Sequence, residues 1–383
     1  MTLKQTAIGL ILSALLCVCS LNELKSAESK PLTDFSVDQK DKTHWFDIKN
    51  LGVEGKGWTD TESFYNRLPA KAKGVVRPPV WSLSKHSAGL AVRFVTDATT
   101  IKAKWKLTSA NIAMNHMAAT GVSGLDLYVK TESGKWRWLA VGKPSKQENN
   151  QTLISGLIPG KREYMLYLPL YNGVESVEIG VPETSHLWKA PPRETGKDKP
   201  LVFWGTSITQ GGCASRTGMV HTAILGRRLD RPVINLGFSG NGRMEPEVAK
   251  LVAELDASVF IMDCLPNVTA ETVARETEPL VKTLRAAHPE TPILLVEDRT
   301  YSNAYLKKSS QDRHRTSREA LKKAYDKLKQ EGVKNLYYLD GETLLGDDSE
   351  DTVDSSHPTD LGFFRQADAF EKVLRPILEQ QSK

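Results

Sequence analysis

Short runs of alternating apolar and polar residues fill the first half of the chain, from His44 to about Val181. Clear examples cover residues 89–95, 100–107, 125–130 and 176–181. A period of two places one side of each strand on a core and the other in solvent, as in antiparallel sheets. Many short strands separated by turn residues predict an all-β sandwich with a jelly-roll-like arrangement.

The pattern changes after a polar, proline-bearing segment at residues 190–200. From there, apolar strand-like runs alternate with longer helical stretches. Strands are predicted at residues 201–204, 232–236, 258–263, 292–297 and 336–339, and helices at 219–229, 246–255, 272–288, 310–332 and 362–380. Alternating strands and helices predict an α/β fold in which helices cover both faces of a parallel sheet.

The N-terminus has the composition of a secretory signal peptide. Lys4 supplies a positive charge, residues 7–19 are mostly apolar, and small residues follow at Ser20 and Ala27. The apolar stretch is too short to cross a bilayer, and no later segment is long and apolar enough to do so. We therefore expect a cleaved signal peptide at residues 1–27 and export to the periplasm or the medium.

These patterns together predict the organisation of the chain. After the signal peptide, a polar segment without periodicity predicts a flexible lead-in at residues 28–43. A β-sandwich domain is expected at residues 44–189 and an α/β domain at residues 199–380. The sequence leaves the oligomeric state open.

Charge and cysteine content narrow the possibilities further. The chain has 51 basic and 46 acidic residues, and its net charge of +5 is not concentrated in blocks. Nucleic-acid-binding proteins cluster their positive charge, so we expect no nucleic-acid partner. Removal of the signal peptide would leave Cys213 and Cys264, each close to a predicted sheet edge. They form either one disulfide in an oxidising compartment or two buried thiols.

Ser207 is the first candidate for chemistry. The apolar run 201–204 ends in a turn of small residues, Gly205-Thr206-Ser207, before a helical stretch. Open α/β folds bind ligands at this carboxyl edge of the sheet. A serine hydroxyl there becomes a nucleophile when a base removes its proton. The alternative is a serine that only caps a helix.

Three later loops supply residues that complement a serine nucleophile. Glycines 237, 240 and 242 follow the second strand, where a backbone N–H can bind a developing oxyanion. Asn267 follows the third strand and offers a side-chain donor. Asp354 and His357 precede the last helix, and the carboxylate can orient the imidazole as a general base. The seven other histidines are scattered, so we expect no metal site.

With these blocks in this order, residues 199–380 resemble the SGNH hydrolase superfamily of GDSL-like esterases and lipases. The resemblance implies a flavodoxin-like three-layer fold and a Ser207–His357–Asp354 triad. It also implies an oxyanion hole formed by Ser207, Gly240 and Asn267. The first block departs from the family pattern, with Gly-Thr-Ser-Ile in place of Gly-Asp-Ser-Leu. The third block has Leu-Pro-Asn where the family has Gly-x-Asn-Asp, which makes Asn267 the weaker match.

Residues 124–128, Gly-Leu-Asp-Leu-Tyr, resemble the Gly-x-Asp-Leu-Tyr motif of a domain that precedes such hydrolases in bacteria. The pairing is similar to carbohydrate esterases in which a jelly-roll domain helps to form the substrate cleft. By this resemblance, Asp126 and Tyr128 are candidate substrate-binding residues. The alternative is an exposed carboxylate beside a packed aromatic ring.

The sequence thus predicts an exported serine ester hydrolase that forms an acyl-enzyme and needs no cofactor. Its expected substrate is a small-molecule or polysaccharide ester, and removal of an acetyl group from a carbohydrate is the favoured reaction. Hydrolysis of lipid esters or thioesters is one alternative. A carbohydrate-binding protein with a degenerate hydrolase domain is the other.

Overall fold

The computed structural model describes residues 30–381 of the chain. The predicted signal peptide at residues 1–27 lies outside the described residues. Within the described part, no helix is long and apolar enough to cross a membrane.

The N-terminal half forms two antiparallel sheets. One has the order β1-β2-β10-β5-β8 and the other β11-β4-β9-β6-β7, with β3 paired to β4. The strands are β1 (Ser36–Asp38), β2 (Thr43–Asp47), β3 (Val53–Glu54), β4 (Ala91–Thr96), β5 (Ile101–Leu107), β6 (Leu125–Lys130), β7 (Trp136–Gly142), β8 (Glu148–Ile154), β9 (Arg162–Tyr167), β10 (Val174–Pro182) and β11 (Leu187–Lys189). Two short helices, α1 (Pro78–Leu83) and α2 (Ala119–Val122), lie between strands.

The two sheets enclose a common apolar core. In β5, Ile101, Ala103, Trp105 and Leu107 are buried, whereas the lysines between them are partly exposed. The buried set packs with residues of the opposite sheet, such as Leu166. This alternation confirms the predicted β-sandwich, and the jelly-roll-like connectivity stays a prediction.

The C-terminal half contains a five-stranded parallel sheet of order β13-β12-β14-β15-β16. Its strands are β12 (Leu201–Gly205), β13 (Val233–Gly237), β14 (Val259–Asp263), β15 (Ile293–Val296) and β16 (Leu336–Leu339). The helices are α3 (Ser207–Gln210), α4 (His221–Leu229), α5 (Pro246–Val252), α6 (Ala270–Ala287), α7 (Lys308–Gln330) and α8 (Asp360–Gln381).

Helices cover both faces of this sheet, as the side chains of β12 show. Leu201 and Phe203 pack in one cluster with α4 and α8, whereas Val202 and Trp204 pack in another with α5, α6 and α7. A strand buried on both faces has no polar side, which explains its continuous apolar run. The arrangement confirms the predicted three-layer, flavodoxin-like α/β fold.

The segment between β3 and β4 packs on the α/β half. Leu68, Ala72, Val76 and Val80 belong to the same apolar cluster as Trp204. Residues that precede the parallel sheet by more than a hundred positions therefore complete one of its helical layers.

Candidate active site

The interior strand β12 delivers Ser207 to the carboxyl edge of the sheet. β12 lies between β13 and β14, so the chain winds in opposite directions on its two sides, and such a switch point forms a ligand crevice. Ser207 begins α3, and Thr206 caps this helix by accepting a hydrogen bond from the Ile208 N–H at 3.3 Å. Only glycine fits at position 205, because a Cβ there would lie 2.0 Å from Thr209 Oγ1.

The structure brings together the three residues of the predicted triad. Ser207 Oγ lies 2.8 Å from His357 Nε2, and His357 Nδ1 lies 2.7 Å from Asp354 Oδ2. A carboxylate only accepts hydrogen bonds, so it fixes the proton on Nδ1 and leaves the Nε2 lone pair facing the serine hydroxyl. This is the arrangement in which an imidazole can take the serine proton.

Asp354 also accepts two backbone hydrogen bonds, from the N–H groups of Ser356 and His357 at 3.1 and 2.8 Å. Burial raises the pKa of this carboxyl group. The hydrogen bonds from the His357 backbone and imidazole outweigh burial, so the pKa of Asp354 is lowered from its usual value. The group is therefore held ionised beside the imidazole.

The Asp354–His357 loop rests on residues that the sequence analysis did not identify. The Ser302 N–H donates to the Ser355 carbonyl at 3.0 Å, and Asn303 Nδ2 donates to Ser355 Oγ at 3.0 Å. Ser355 has a positive φ of 73°, which is uncommon for a serine. These contacts fix the turn that directs His357 toward Ser207.

The predicted oxyanion residues occupy the loops on either side of β12. Gly240 follows β13 with a φ of 68°, and its N–H donates no hydrogen bond among the described residues. Asn267 ends a 3-10 helix (Leu265–Asn267) after β14, and its side-chain oxygen is buried without a partner there. The β13 loop folds against β12, because a Cβ on Gly242 would lie 1.9 Å from the Gly205 carbonyl oxygen. Both loops therefore border the strand that carries Ser207 at its carboxyl end.

Gln210, the last residue of α3, connects this helix to the loop that follows β13 and contains Gly240. Its buried side chain accepts a hydrogen bond from the Ser239 N–H and donates one to the Leu170 carbonyl, both at 3.0 Å. Gln210 Nε2 also lies 3.0 Å from His86 Nδ1. Burial, with a smaller effect of Arg67, lowers the pKa of His86 to about 4, so this ring is neutral at physiological pH and can accept. Gln210 has no sequence signal except its place one turn after Ser207.

Arg67 supports the same loop from the N-terminal half. Its fully buried guanidinium donates to the carbonyls of Asn235 and Gly237 at the end of β13, at 2.8 and 2.9 Å. The other nitrogens donate to the carbonyls of Leu83 and His86. Burial lowers the pKa of Arg67, and no carboxylate pairs with it among the described residues. The hydrogen bonds of the buried guanidinium are therefore accepted by backbone carbonyls.

Two buried carboxylates lie behind the site. Asp263, at the end of β14, accepts from Thr209 Oγ1 at 2.8 Å and pairs with Arg299 through two contacts of 2.6 and 2.7 Å. Asp298 follows β15 and is fully buried, and neither carboxylate oxygen has a hydrogen-bond partner among the described residues. Burial raises the pKa of Asp298 to about 6, although nearby Arg299 and Arg313 oppose the rise.

Asp126 and Tyr128 are both buried, so the alternative of an exposed carboxylate is wrong, and substrate binding by the two residues stays a prediction. Asp126 is fully buried, and its oxygens accept from Arg216, from the Gly218 N–H at 2.8 Å and from Trp138 Nε1 at 2.7 Å. Tyr128 is also buried, and its hydroxyl bonds Arg216 at 2.6 Å. The motif joins β6 to the segment that follows α3, because its polar atoms have partners in that segment.

The two cysteines are free thiols, so the disulfide alternative is wrong for this structure. Cys264 is fully buried and its Sγ lies 3.5 Å from the Trp204 carbonyl. Cys213 follows α3 and is also buried. Burial is the main cause that raises the pKa of both thiols, to about 11 for Cys213 and well above the usual value for Cys264. Each sulfur therefore occupies its own buried environment.

Both halves of the chain match models of known families. The model of the GDSL-like lipase/acylhydrolase family matches residues 198–375, and the model of the GxDLY N-terminus of SGNH-hydrolase-type esterases matches residues 43–187. A crystal structure described as a GDSL-like lipase, from Bacteroides ovatus ATCC 8483, is 36% identical and has a TM-score of 0.83. The alignment covers 88% of this chain and 98% of that one. The chain belongs to the GDSL-like lipase/acylhydrolase family.

More distant structures share the fold of this GDSL-like esterase. A salicylyl-acyltransferase from a tetracycline biosynthetic pathway is 18% identical over 85% of this chain and 94% of its own, with a TM-score of 0.64. An acetyl xylan esterase from the rumen bacterium Butyrivibrio proteoclasticus is 12% identical over 90% and 99%, with a TM-score of 0.55. No curated protein matches the sequence. Among residues 30–381, no group of three histidine, cysteine or acidic residues is placed to hold a metal ion.

Proposed function

We propose that the protein is an exported serine esterase that removes acetyl groups from a carbohydrate through an acyl-enzyme. The observation that carries the proposal is the 2.8 Å contact between Ser207 Oγ and His357 Nε2, with Asp354 on the other ring nitrogen. A protein that only bound carbohydrate would gain nothing from a nucleophile held against a base.

In the proposed reaction, His357 takes the Ser207 proton as Oγ attacks the ester carbonyl. The tetrahedral intermediate collapses when the imidazolium donates this proton to the leaving alcohol oxygen. Water, deprotonated by His357, then attacks the acetyl-serine and releases acetate. Asp354 stays ionised and stabilises the imidazolium in both steps.

Three donors are assigned to the oxyanion: the N–H groups of Ser207 and Gly240, and the amide of Asn267. Their support is that β13 and β14 flank β12, so both loops reach the nucleophile from opposite sides. Each such donor contributes roughly 10²–10³ in turnover where it has been removed from comparable sites.

The acetylated-carbohydrate assignment is supported by the combination of a β-sandwich with this esterase fold, which the acetyl xylan esterase shares. Ser207 is 8% exposed, which suits a small acyl group better than a long chain. Export is supported by the composition of residues 1–27. N-terminal sequencing of the protein recovered outside the cytoplasm tests it, and an intact Met1 there would count against cleavage.

The central experiment measures acetate release from partially acetylated xylan and hydrolysis of p-nitrophenyl acetate. Ser207→Ala should be folded and should lose nearly all activity on both. Ser317→Ala is the matched control, because Ser317 is also buried but its hydroxyl donates to the His314 carbonyl within α7. Ser207→Ala with unchanged turnover would refute the mechanism.

Two further measurements separate the alternatives. A profile of p-nitrophenyl esters of increasing chain length should fall after acetate, whereas a lipid esterase would prefer long chains. Labelling of Ser207 by a fluorophosphonate probe is expected, and folded wild-type protein that resists the probe would favour a carbohydrate-binding role.

A further inference from the structure

A loop of the β-sandwich reaches the candidate active site. Between β5 and α2, this loop places the His116 ring with its centroid 6.1 Å from that of His357, in an edge-to-face arrangement. His116 is exposed, and His357 is partly exposed. The sandwich thus contributes a polar ring beside the proposed catalytic base.

The loop is held in place by its own contacts. Buried Asn172 accepts from the Ser109 N–H at 3.2 Å and donates to the Ser109 carbonyl at 3.0 Å. Met114 and Met117 exchange backbone hydrogen bonds of 3.1 and 3.2 Å. Met117 is buried in the cluster that the sandwich shares with α4. The backbone on both sides of His116 is therefore held by the fold.

The hydrogen bond of His116 determines what it can recognise. Its Nδ1 lies 2.8 Å from Asn115 Oδ1. An amide oxygen only accepts, so Nδ1 carries the proton and Nε2 of the neutral ring is left as an acceptor. The neighbouring Met114 is 40% exposed and offers an apolar surface. A hydroxyl group next to a C–H face fits both features, and sugar rings present this combination.

The direction of the reaction identifies which part of the substrate lies here. His357 donates its proton to the leaving alcohol oxygen, so the alcohol part of the ester must lie against the imidazole. Groups beside the partly exposed imidazole of His357 then face the alcohol part of the ester and not the acyl group. His116 is in this position.

We propose that His116 accepts a hydrogen bond from a free hydroxyl of the alcohol moiety and so makes the esterase selective for partially acylated polyols. The inference rests on the proposed function, because it assigns the leaving-group side of the same site. His116 is a specificity residue in this proposal and does not take part in proton transfer.

The test compares three probes with wild type and His116→Ala: partially acetylated xylobiose, fully acetylated xylobiose and p-nitrophenyl acetate. Loss of one net hydrogen bond of about 0.5–1.5 kcal/mol should raise KM for the partially acetylated sugar about 2- to 12-fold. The other two probes have no free hydroxyl, so their kinetics should change less than about twofold. His116→Gln places an amide oxygen near the Nε2 position and should restore part of the lost affinity.

His186→Ala is the matched control, since His186 is an exposed histidine of the sandwich that contacts Asp97 and Trp188 instead. Equal losses on all three probes in His116→Ala would overturn the proposal, because the residue would then act on His357. An unchanged KM for partially acetylated xylobiose, in an enzyme that cleaves it, would overturn it too. Wild type that hydrolyses p-nitrophenyl acetate but no acetylated sugar would instead refute the carbohydrate function, and with it the role of His116.

Discussion

Replacing Gln210 with methionine tests whether the oxyanion loop depends on its contact with the nucleophile helix. The two side chains have similar length and volume, so the substitution changes packing little. It removes the acceptor for the Ser239 N–H and the donor for the Leu170 carbonyl, both now at 3.0 Å. Ser239 immediately precedes Gly240, so the loop loses the contact that fixes the proposed oxyanion donor.

Two effects of different size are expected. Each buried backbone partner left without its hydrogen bond costs about 1–3 kcal/mol, so the free energy of unfolding should fall by about 2–6 kcal/mol. Complete removal of an oxyanion donor costs roughly 10²–10³ in turnover. Gln210→Met keeps the Gly240 N–H but releases its loop, so kcat should fall about 10- to 100-fold while KM changes little.

The assay pairs urea unfolding with p-nitrophenyl acetate kinetics under conditions in which both variants are folded. Asn149→Leu is the matched control, because buried Asn149 accepts from the Ser145 N–H at 3.0 Å and donates to the Lys146 carbonyl at 2.8 Å. It should lose comparable stability but keep its kcat. If Gln210→Met retained wild-type kcat, or if both variants lost kcat equally, the proposed positioning role would be wrong.

Two other predictions follow from buried carboxylates. Asp126→Ala leaves the partly buried Arg216 unpaired and should lower the free energy of unfolding, measured by urea titration, by about 3 kcal/mol. The control is Glu175→Ala, which removes an exposed ion pair with Lys106 and should cost less than about 1 kcal/mol. Equal costs would contradict the joining role of Asp126. Asp298 binds its proton more tightly when folded than unfolded, because its pKa rises from 3.8 to about 6. The contribution of Asp298 to the free energy of unfolding is therefore lost as the pH rises from 3.8 to about 6. Because asparagine stays neutral, Asp298→Asn should be more stable than wild type above pH 6, and this difference should disappear below pH 3.8. A stability difference that stayed constant across the window would show that Asp298 does not titrate there.

The architecture was predictable because its signals are local. The run 336–339 was predicted as a strand and β16 has the same bounds, because Leu-Tyr-Tyr-Leu is a short run of apolar and aromatic residues, which favour strands. Helix α6 was predicted from residue 272 but begins at Ala270, because the Thr269 side chain caps it by accepting from the Thr272 N–H. The one-turn helix α3 was not identified, since four residues are too few to show a period.

The residues of the candidate site also fall into those that local sequence patterns could identify and those that they could not. Ser207, Asp354 and His357 were found because each follows or precedes a recognisable element, and carboxyl ends of parallel strands meet at one edge. Arg67 and His116 could not be found, since an isolated cation or histidine in a loop resembles a solvated side chain. Their roles arise from contacts with residues far away in the sequence, such as Asn235 and His357. Asp126 was found by its motif, but its pairing with Arg216, ninety positions later, could not be predicted for the same reason.

Because Arg67 of the N-terminal half binds the carbonyls at the end of β13, the two halves of the chain depend on each other for folding. The two family models match residues 43–187 and 198–375, so no matched region spans both halves of the chain. A polypeptide started at residue 198 would nevertheless lack the guanidinium that satisfies the Asn235 and Gly237 carbonyls and stacks 5.1 Å from the Phe238 ring. It would also expose the apolar surface that Leu68 and Val80 cover. The C-terminal half produced alone is therefore expected to be insoluble.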